Sequence, residues 1–306
     1  MKALSIQIQR EFWEHRGLWI VPLTIAAVML SAAGIFGHIR LDFDATGNRY
    51  DGPLPPPLVE LVALGWVVPF YLAAAIQASA YLIDCLYAER RDRSILFWRS
   101  MPVTDARTVL VKLLVGLVLV PLGAFLIAAV TSLACSALLV LRNHDLVING
   151  QRIAALWDTL AWLRMQAITL YGVLAAMLWY APFAAYLLLA SVWARRSPYA
   201  WALVPPVLLL ILEHMIFGTN YVGRIITGGF NELLHLAYRV DEQPDFSAGG
   251  GLVPPGAGND VANLRFSIHM LSPLRLLSSV RLWGGLAAAA GMIVLAIRLR
   301  RYRDET

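Results

Sequence analysis

Lysine is almost absent from this sequence. Its 306 residues contain only Lys2 and Lys112, which follow Met1 and Val111. A P-loop needs a lysine directly after a glycine, because that side chain must reach the nucleotide phosphates from a glycine-rich turn. Neither lysine meets this condition, and the sequence also lacks the HExxH zinc pair and the GxSxG nucleophile elbow. We therefore expect no enzymatic activity, no catalytic or metal-binding residues, and no bound cofactor in this chain.

Charge is also scarce, at 15% of residues against 59% hydrophobic ones. Soluble proteins average about 25% charged residues. The uncharged stretches form long apolar runs, and roughly 20 apolar residues suffice to cross about 30 Å of hydrocarbon. The sequence therefore predicts an all-α integral membrane protein with six transmembrane helices in a single domain, residues 1–306. The predicted spans are about 17–37, 58–83, 108–141, 167–193, 199–218 and 282–299.

Cysteine is the third scarce residue. Cys85 falls at a predicted inner membrane edge and Cys135 deep within another span, so we expect no disulfide. The third apolar run is longer than a bilayer requires, and should tilt or project into water. The first is too long for a signal peptide and no small-residue cleavage site follows it, so we expect no cleavable signal.

Basic residues are distributed unevenly between the predicted loops. Residues 1–16, 84–107, 194–198 and 298–306 hold 14 basic residues in about 54 positions, whereas the opposite loops hold 10 in about 110. Cytoplasmic loops carry the excess of Lys and Arg. The distribution predicts a multi-pass membrane protein with both termini in the cytoplasm.

Two regions outside the spans show helical patterns. In the first sixteen residues, Leu4, Ile8 and Phe12 recur at i, i+4 and i+8. This spacing favours an N-terminal interfacial helix with its apolar side in lipid, although a merely polar flank is the alternative. In the long outer segment before the last span, apolar stretches at 230–238 and 261–277 predict short external helices on either side of a glycine-rich stretch.

The segment 89–101 combines high charge with large apolar side chains. Ile95, Trp98 and Met101 have helical spacing, so one face could dock in a protein groove. The alternative is that these side chains bury against the protein's own helix ends, and spacing alone leaves both open.

The same segment resembles the second inner loop of ABC-2 type permeases, the membrane subunits of bacterial ABC exporters. The matching residues are Glu89, Ser94, Ile95, Pro102, Val103, Thr104 and Lys112. Arg93 stands where the family usually has glycine, and Trp98 where it has leucine, so the local turn differs. The motif covers about 25 residues, and the six-span layout is similar to the family over the whole chain.

The resemblance implies a permease of the bacterial cytoplasmic (inner) membrane that exports a substrate. It would use energy from a separate cytoplasmic ABC ATPase subunit, which would bind ATP and Mg. The resemblance also implies a second permease copy, as a homodimer or a paralogous heterodimer in membrane lipid, and no nucleic acid. The segment 89–101 would be a cytoplasmic coupling helix that docks on the ATPase. Its docking residues would be Glu89, Arg90, Arg91, Asp92, Arg93, Ser94, Ile95, Leu96, Phe97, Trp98 and Met101.

Polar residues inside the predicted spans are candidates for a translocation path, because each is costly in hydrocarbon unless paired or hydrated. They are Glu60, Gln77, Glu213 and His214. Glu60 has an alternative role as an interfacial carboxylate. The aromatic residues Trp66, Tyr71 and Tyr81 are interpreted as packing or interface residues. Pro69, Pro182 and the pair Pro205-Pro206 predict bends in their spans.

Two other functional classes fit a six-span protein: a stand-alone secondary transporter or channel, and a membrane scaffold for a maturation complex. Secondary transporters often show internal repeats and broken helices at mid-membrane, and neither is clear in this sequence. The substrate stays open, since apolar spans favour lipids, hydrophobic peptides or drugs, whereas Glu60 and Glu213 would favour cations.

Overall fold

The protein is described here by a computed structural model, which is almost entirely α-helical. The described residues are 2–36, 57–92, 104–144, 147–148, 151–152, 159–194, 196–219, 221–238 and 271–303. The helices are α1 (Lys2–Glu14), α2 (Gly17–Phe36), α3 (Pro57–Arg91), α4 (Asp105–Arg142), α5 (Thr159–Trp179), α6 (Ala181–Trp193), α7 (Pro198–Phe217), α8 (Tyr221–Ala237), α9 (Pro273–Leu277) and α10 (Val280–Arg303). Two-residue strands β1 (Val147–Ile148) and β2 (Gln151–Arg152) form an antiparallel hairpin.

Six of these helices are long and apolar enough to cross a membrane, which confirms the predicted number of spans. They are α2, α3, α4, α5, α7 and α10. The second span differs from its predicted bounds, because α3 continues to Arg91. Residues 84–91 are therefore part of the span helix, whereas the sequence predicted that they belong to an inner loop.

The third span, α4, extends over 38 residues. At 1.5 Å per residue this is about 57 Å, nearly twice the hydrocarbon thickness, so the helix is longer than a bilayer requires, as predicted. Its two regular parts, Asp105–Leu114 and Val120–Arg142, flank a π-helical turn at Val115–Leu119. In that turn Gly116 faces Leu82 of α3 so closely that a Cβ would stand 2.7 Å from the leucine Cγ.

The predicted fourth span, 167–193, is wrong in two respects. The helical region begins earlier, at Thr159, and it is divided into α5 and α6 at Tyr180. The Tyr180 N–H still donates to the Ala176 carbonyl (2.8 Å), and the Ala184 N–H donates to the Tyr180 carbonyl (3.0 Å). Pro182 has no N–H to continue the ladder between these two bonds, which explains the interruption.

Two short helices precede the last span. α8 includes the predicted helix at 230–238 but begins at Tyr221, while the predicted helix at 261–277 is seen only as α9, since 261–270 lie outside the described residues. The ends of the intervening segment meet where Tyr238 pairs with Leu271 in a β-bridge and the Ser272 N–H donates to the Ala237 carbonyl (2.9 Å).

The main apolar core lies between α3, α4 and α6, with α10 against it. Tyr81, Leu82, Val109 and Leu188 are among its buried members. By contrast, α7 buries little beyond Pro198 and Ala202, and its large apolar side chains point outward. A helix that is apolar on its exposed sides is typical of contact with lipid.

The N-terminal helix α1 is present, but the face predicted to enter lipid packs against the bundle. Ile8 packs on the main core, and the Phe12 ring stacks on Trp19 with 4.3 Å between centroids. Glu11, on the same side, is buried. Among the side chains of α1 that the structure describes, from Ile6 onward, the large apolar ones that are exposed are Ile6 and Trp13, the latter 68% exposed.

Candidate functional site

Five charged side chains from four helices meet at one end of the bundle. They are Glu11 (α1), Glu89 (α3), Asp105 and Lys112 (α4), and Arg300 (α10), and we refer to them as the charge cluster. All except Asp105 are buried, with Lys112 only 1% exposed. Glu11, near the N-terminus, and Arg300, near the C-terminus, therefore lie at the same end of the bundle.

Lys112 joins two of the carboxylates. Its Nζ lies 2.9 Å from Glu11 Oε1 and 3.2 Å from Glu89 Oε1. Because Lys112 lies about two turns into α4, among apolar residues, its ammonium would be costly without these partners. The lysine thus ties α1 and α3 to the beginning of α4.

Arg300 joins the other pair. Its guanidinium lies 2.9 Å from Glu89 Oε2 and donates from Nε to Asp105 Oδ1 at 3.2 Å. Glu89 is therefore shared, with one oxygen facing Lys112 and the other facing Arg300. A carboxylate held by two cations on different helices fixes the end of α3 against both α4 and α10.

Tyr81 and His15 complete the surroundings of Glu11. The Tyr81 hydroxyl donates to Glu11 Oε2 at 2.8 Å, and His15 Nδ1 lies 3.6 Å from the same oxygen. Burial alone would raise the pKa of Glu11, but the Lys112 ammonium and the hydrogen bonds from Lys112 and Tyr81 hold it below its ordinary value. Glu11 is therefore a carboxylate, not a carboxylic acid, near neutral pH.

Glu11, Glu14 and His15 also place ligand atoms within 4.8 Å of one another, a spacing that could hold a metal ion. Both carboxylates already have cationic partners, however, since Glu14 pairs with Arg10 and Glu11 with Lys112. The group therefore belongs to the ion pairs and does not define a metal site.

A second set of polar contacts fastens the end of α3 to the end of α6. The buried Ser191 hydroxyl accepts from the backbone N–H groups of Leu86 (3.1 Å) and Tyr87 (3.0 Å). The Arg90 guanidinium donates to the carbonyls of Ser191 (2.6 Å) and Ala194 (3.1 Å). A cation at a helix C-terminus satisfies carbonyls that have no partner within the helix.

The predicted docking residues fall into three groups. Glu89 and Arg90 belong to the last turns of α3 and are engaged within the bundle, so the prediction that they form part of a separate coupling helix is wrong. Arg91 ends α3, and both Arg91 and Asp92 are exposed and paired with each other at 3.1 Å. Outside the described residues lie Arg93, Ser94, Ile95, Leu96, Phe97, Trp98 and Met101.

The residues predicted for a translocation path do not come together where they are described. The Gln77 side chain donates to the Gly17 carbonyl (2.8 Å), which joins α3 to the beginning of α2. Glu213, in the last turns of α7, accepts from the Thr219 hydroxyl (3.0 Å), and neighbouring His214 is exposed. Glu60 lies in α3, but its side chain is outside the described part of the chain.

Sequence reasoning missed most of the charge cluster, although two signals pointed to it. Lys112 lies within the long apolar run 108–141, and such a charge needs a partner. Glu11 lies between Ile8 and Phe12 on the apolar side of α1, where a carboxylate facing lipid would be unfavourable. Asp105 and Arg300 carried no such signal, because both sit among other charges at helix ends.

Comparison with known proteins found no match: no family model, no curated protein and no solved structure matches the chain.

Proposed function

We propose that this chain is the membrane-spanning permease subunit of an ATP-driven exporter of the ABC-2 type. In this proposal a second permease copy completes the translocation path, and a separate cytoplasmic ATPase supplies the energy. Residues 92–104, which include most of the predicted coupling segment, are the part that docks on the ATPase.

The charge cluster is the observation that best supports this proposal. Glu89 lies three residues before this segment and Asp105 directly after it, so the cluster joins the two helices on either side of the segment. The same two carboxylates share Arg300 of α10, and Glu89 reaches Glu11 of α1 through Lys112. A segment needed only to connect two spans does not require four helices to be fixed to one another at its ends.

The arrangement also explains how movement of the segment 92–104 would reach the membrane. Buried ion pairs with several hydrogen bonds resist separation, because pulling one partner away leaves an uncompensated charge. A displacement of the helix ends that flank the segment would therefore move α1, α3, α4 and α10 together. The contacts of Arg90 and Ser191 extend this connection to α6.

Trp98→Ala tests the docking role directly. Aromatic anchors dominate helix-in-groove interfaces, so the substitution should weaken ATPase binding by about 2 kcal/mol, roughly thirtyfold in affinity. The measurement is co-purification of the ATPase from the native membrane with detergent-solubilised permease, followed by ATPase coupling in reconstituted vesicles. Trp13→Ala, which removes an exposed tryptophan from α1, is the matched control and should retain the ATPase.

Two results would contradict the proposal. If wild-type protein co-purifies with no ATPase, the stand-alone transporter or scaffold becomes the better explanation. If folded Trp98→Ala protein keeps its ATPase and remains coupled, residues 93–101 do not dock it.

A further inference from the structure

The third span, α4, changes its hydrogen-bonding pattern once along its length. Before the change, the Val115 N–H donates to the carbonyls of Val111 and Lys112, as in ordinary helical turns. At the π turn, Val115–Leu119, the Val120 N–H donates to the Val115 carbonyl, five residues earlier. This turn therefore holds one residue more than an α-helical turn. No other π turn occurs in the described helices.

Pro121 follows the turn and explains part of this change. It has no N–H to donate to the Leu117 carbonyl, and its ring would clash with that carbonyl in a regular helix. Proline alone does not produce a π turn, however, because three other spans contain prolines and continue as α-helices. These prolines are Pro22 of α2, Pro69 of α3 and the pair Pro205-Pro206 of α7. The wide turn is therefore a specific feature of α4.

The two parts of α4 on either side of the turn pack mainly against different helices. Asp105–Leu114, which carries two members of the charge cluster, packs against α1, α3, α6 and α10. Val120–Arg142 packs against α2, α3 and α5. Helix α3 is common to both parts, and it is a regular α-helix at the level of the turn, where Leu82 faces Gly116. A change of helix type in α4 thus lies beside an unbroken α3.

Two close contacts hold α4 at and directly after the turn. A Cβ on Gly116 would stand 2.7 Å from Leu82 Cγ of α3, and a Cβ on Gly123 would overlap the Trp19 ring of α2. The part before the turn is tied instead to α1, α3 and α10 through the charge cluster. The turn therefore separates a part that belongs with the cluster from a part that belongs with α2.

We propose that the π turn is a hinge in α4. Asp105–Leu114 moves with the charge cluster when the segment 92–104 is displaced, while Val120–Arg142 keeps its place against α2. Sharp kinks in helices occur at prolines and at π turns, and both are present here. Asp105 lies about 18 Å from the centre of the turn, so a bend of about 20° would move it by about 6 Å. The hinge is a property of the chain alone and does not depend on an ATPase partner.

Amide hydrogen exchange of the full chain in phosphatidylcholine nanodiscs tests the hinge, because exchange measures local opening of backbone hydrogen bonds. Amides of residues 115–120 should exchange faster than those of residues 79–85, which lie at the same level in the regular helix α3. In Pro121→Ala the restored N–H can donate to the Leu117 carbonyl, so exchange at 115–120 should slow about tenfold. Pro69→Ala is the matched control, since it removes a proline from a helix without a π turn, and should leave exchange at 115–120 unchanged.

A deletion tests whether the turn contains an extra residue. Without Val118, ordinary i→i−4 bonds can join the two parts of α4 while each part keeps its face toward its neighbours, so the unfolding temperature should not fall. The matched control is deletion of Val130, which is 69% exposed but lies in the regular part of α4. That deletion would turn residues 131–142, including buried Ser132 and Cys135, by about 100°. It should lower the unfolding temperature by about 5 °C or more.

Three results would overturn the inference. The first is exchange at 115–120 that is as slow as at 79–85 in the wild-type chain. The second is no slowing in Pro121→Ala, or equal slowing in Pro69→Ala, and the third is a Val118 deletion that destabilises the chain as much as the Val130 deletion. Both measurements use the chain without an ATPase, so their outcome is separate from that of the co-purification experiment.

Discussion

Each member of the charge cluster is neutralised by a residue distant in sequence. Removing one partner from a buried ion pair is more damaging than removing both, because the remaining charge stays buried without compensation. Arg300 compensates Glu89 and Asp105 together, whereas Arg298, two residues earlier, is exposed. The two arginines therefore separate the effect of the cluster from the effect of positive charge at this end of α10.

Arg300→Met should destabilise the protein by about 3–5 kcal/mol, whereas the matched control Arg298→Met should change stability by no more than about 0.5 kcal/mol. Adding Glu89→Gln to Arg300→Met should recover part of the loss, because one uncompensated carboxylate is removed. The measurement is unfolding of the purified chain in detergent. Equal losses for the two arginine variants would show that Arg300 contributes only surface charge.

The pH dependence of Glu11 provides a second prediction at the residue scale. Its pKa is below the ordinary 4.5 in the folded protein, so the unfolded chain takes up the proton first as the pH falls. The stabilisation from Glu11 should therefore be complete above about pH 4.5 and decline below that value as the pH falls through the folded pKa.

Unfolding temperatures of wild type and Glu11→Gln, recorded between pH 7 and pH 3.5, would measure this effect. The difference between them should be constant from pH 7 to about pH 5 and shrink in more acidic buffer. A difference that shrinks already between pH 7 and pH 6 would mean that the folded pKa is raised, contrary to the ion pair with Lys112.

Among the elements, α3 and α4 pack closely against each other at Gly116. A Cβ at this position would stand 2.7 Å from Leu82 Cγ and Cδ2, and Leu82 is itself buried. Gly116→Ala should therefore destabilise the protein by about 1–3 kcal/mol through overpacking, although alanine favours helix elsewhere.

Gly34→Ala is the matched control, since nothing lies within 4 Å of a Cβ on that glycine of α2. It should be neutral or slightly stabilising in the same unfolding assay. In the double variant Leu82→Ala/Gly116→Ala, the combined loss should be smaller than the sum of the single losses, because the shortened leucine makes room. Additive losses would place the two residues out of contact.

The elements also show which features of the fold the sequence could predict. Run lengths and apolarity are local properties, so six spans and the N-terminal helix were predictable. The interruption at Tyr180 was not predictable, because a proline in a span does not by itself show whether the helix breaks. Pro69, Pro205 and Pro206 lie within helices that continue, whereas Pro182 follows a break. The partner of each charge was not predictable, because it depends on tertiary packing. For this reason the apolar pattern of α1 predicted a side facing lipid, whereas in the structure that side packs on the bundle and Glu11 pairs with Lys112.

For the whole molecule, the charge cluster places α1 and the C-terminal end of α10 at the same end of the bundle. Six spans have the same consequence, because an even number of crossings returns the chain to the side on which it started. The Tyr87 hydroxyl donates to the Arg196 carbonyl at 2.7 Å, so the turn between α6 and α7 is at that end too. From the distribution of basic residues we expect this end to face the cytoplasm.

Cysteine labelling tests that orientation. In a background with Cys85 and Cys135 replaced by alanine, cysteines at Asn48, Asn149 and Gly250 should react with an impermeant thiol reagent in intact spheroplasts. Ser197→Cys, in the exposed turn before α7, should react only after permeabilisation. Labelling of Ser197→Cys in sealed cells would reverse the orientation or change the number of spans.

The order in which the charge cluster is synthesised has a consequence for biogenesis. Glu11, Glu89, Asp105 and Lys112 leave the ribosome long before Arg300, which lies in the last helix described. Until then the growing chain holds three carboxylates against one lysine, with Glu89 facing a gap where the guanidinium belongs. Translation of α10 closes that gap, so this end of the bundle acquires its final charge balance only when the last span is in place. A chain that stalls before α10 would expose this imbalance to the proteases that clear unfinished membrane proteins.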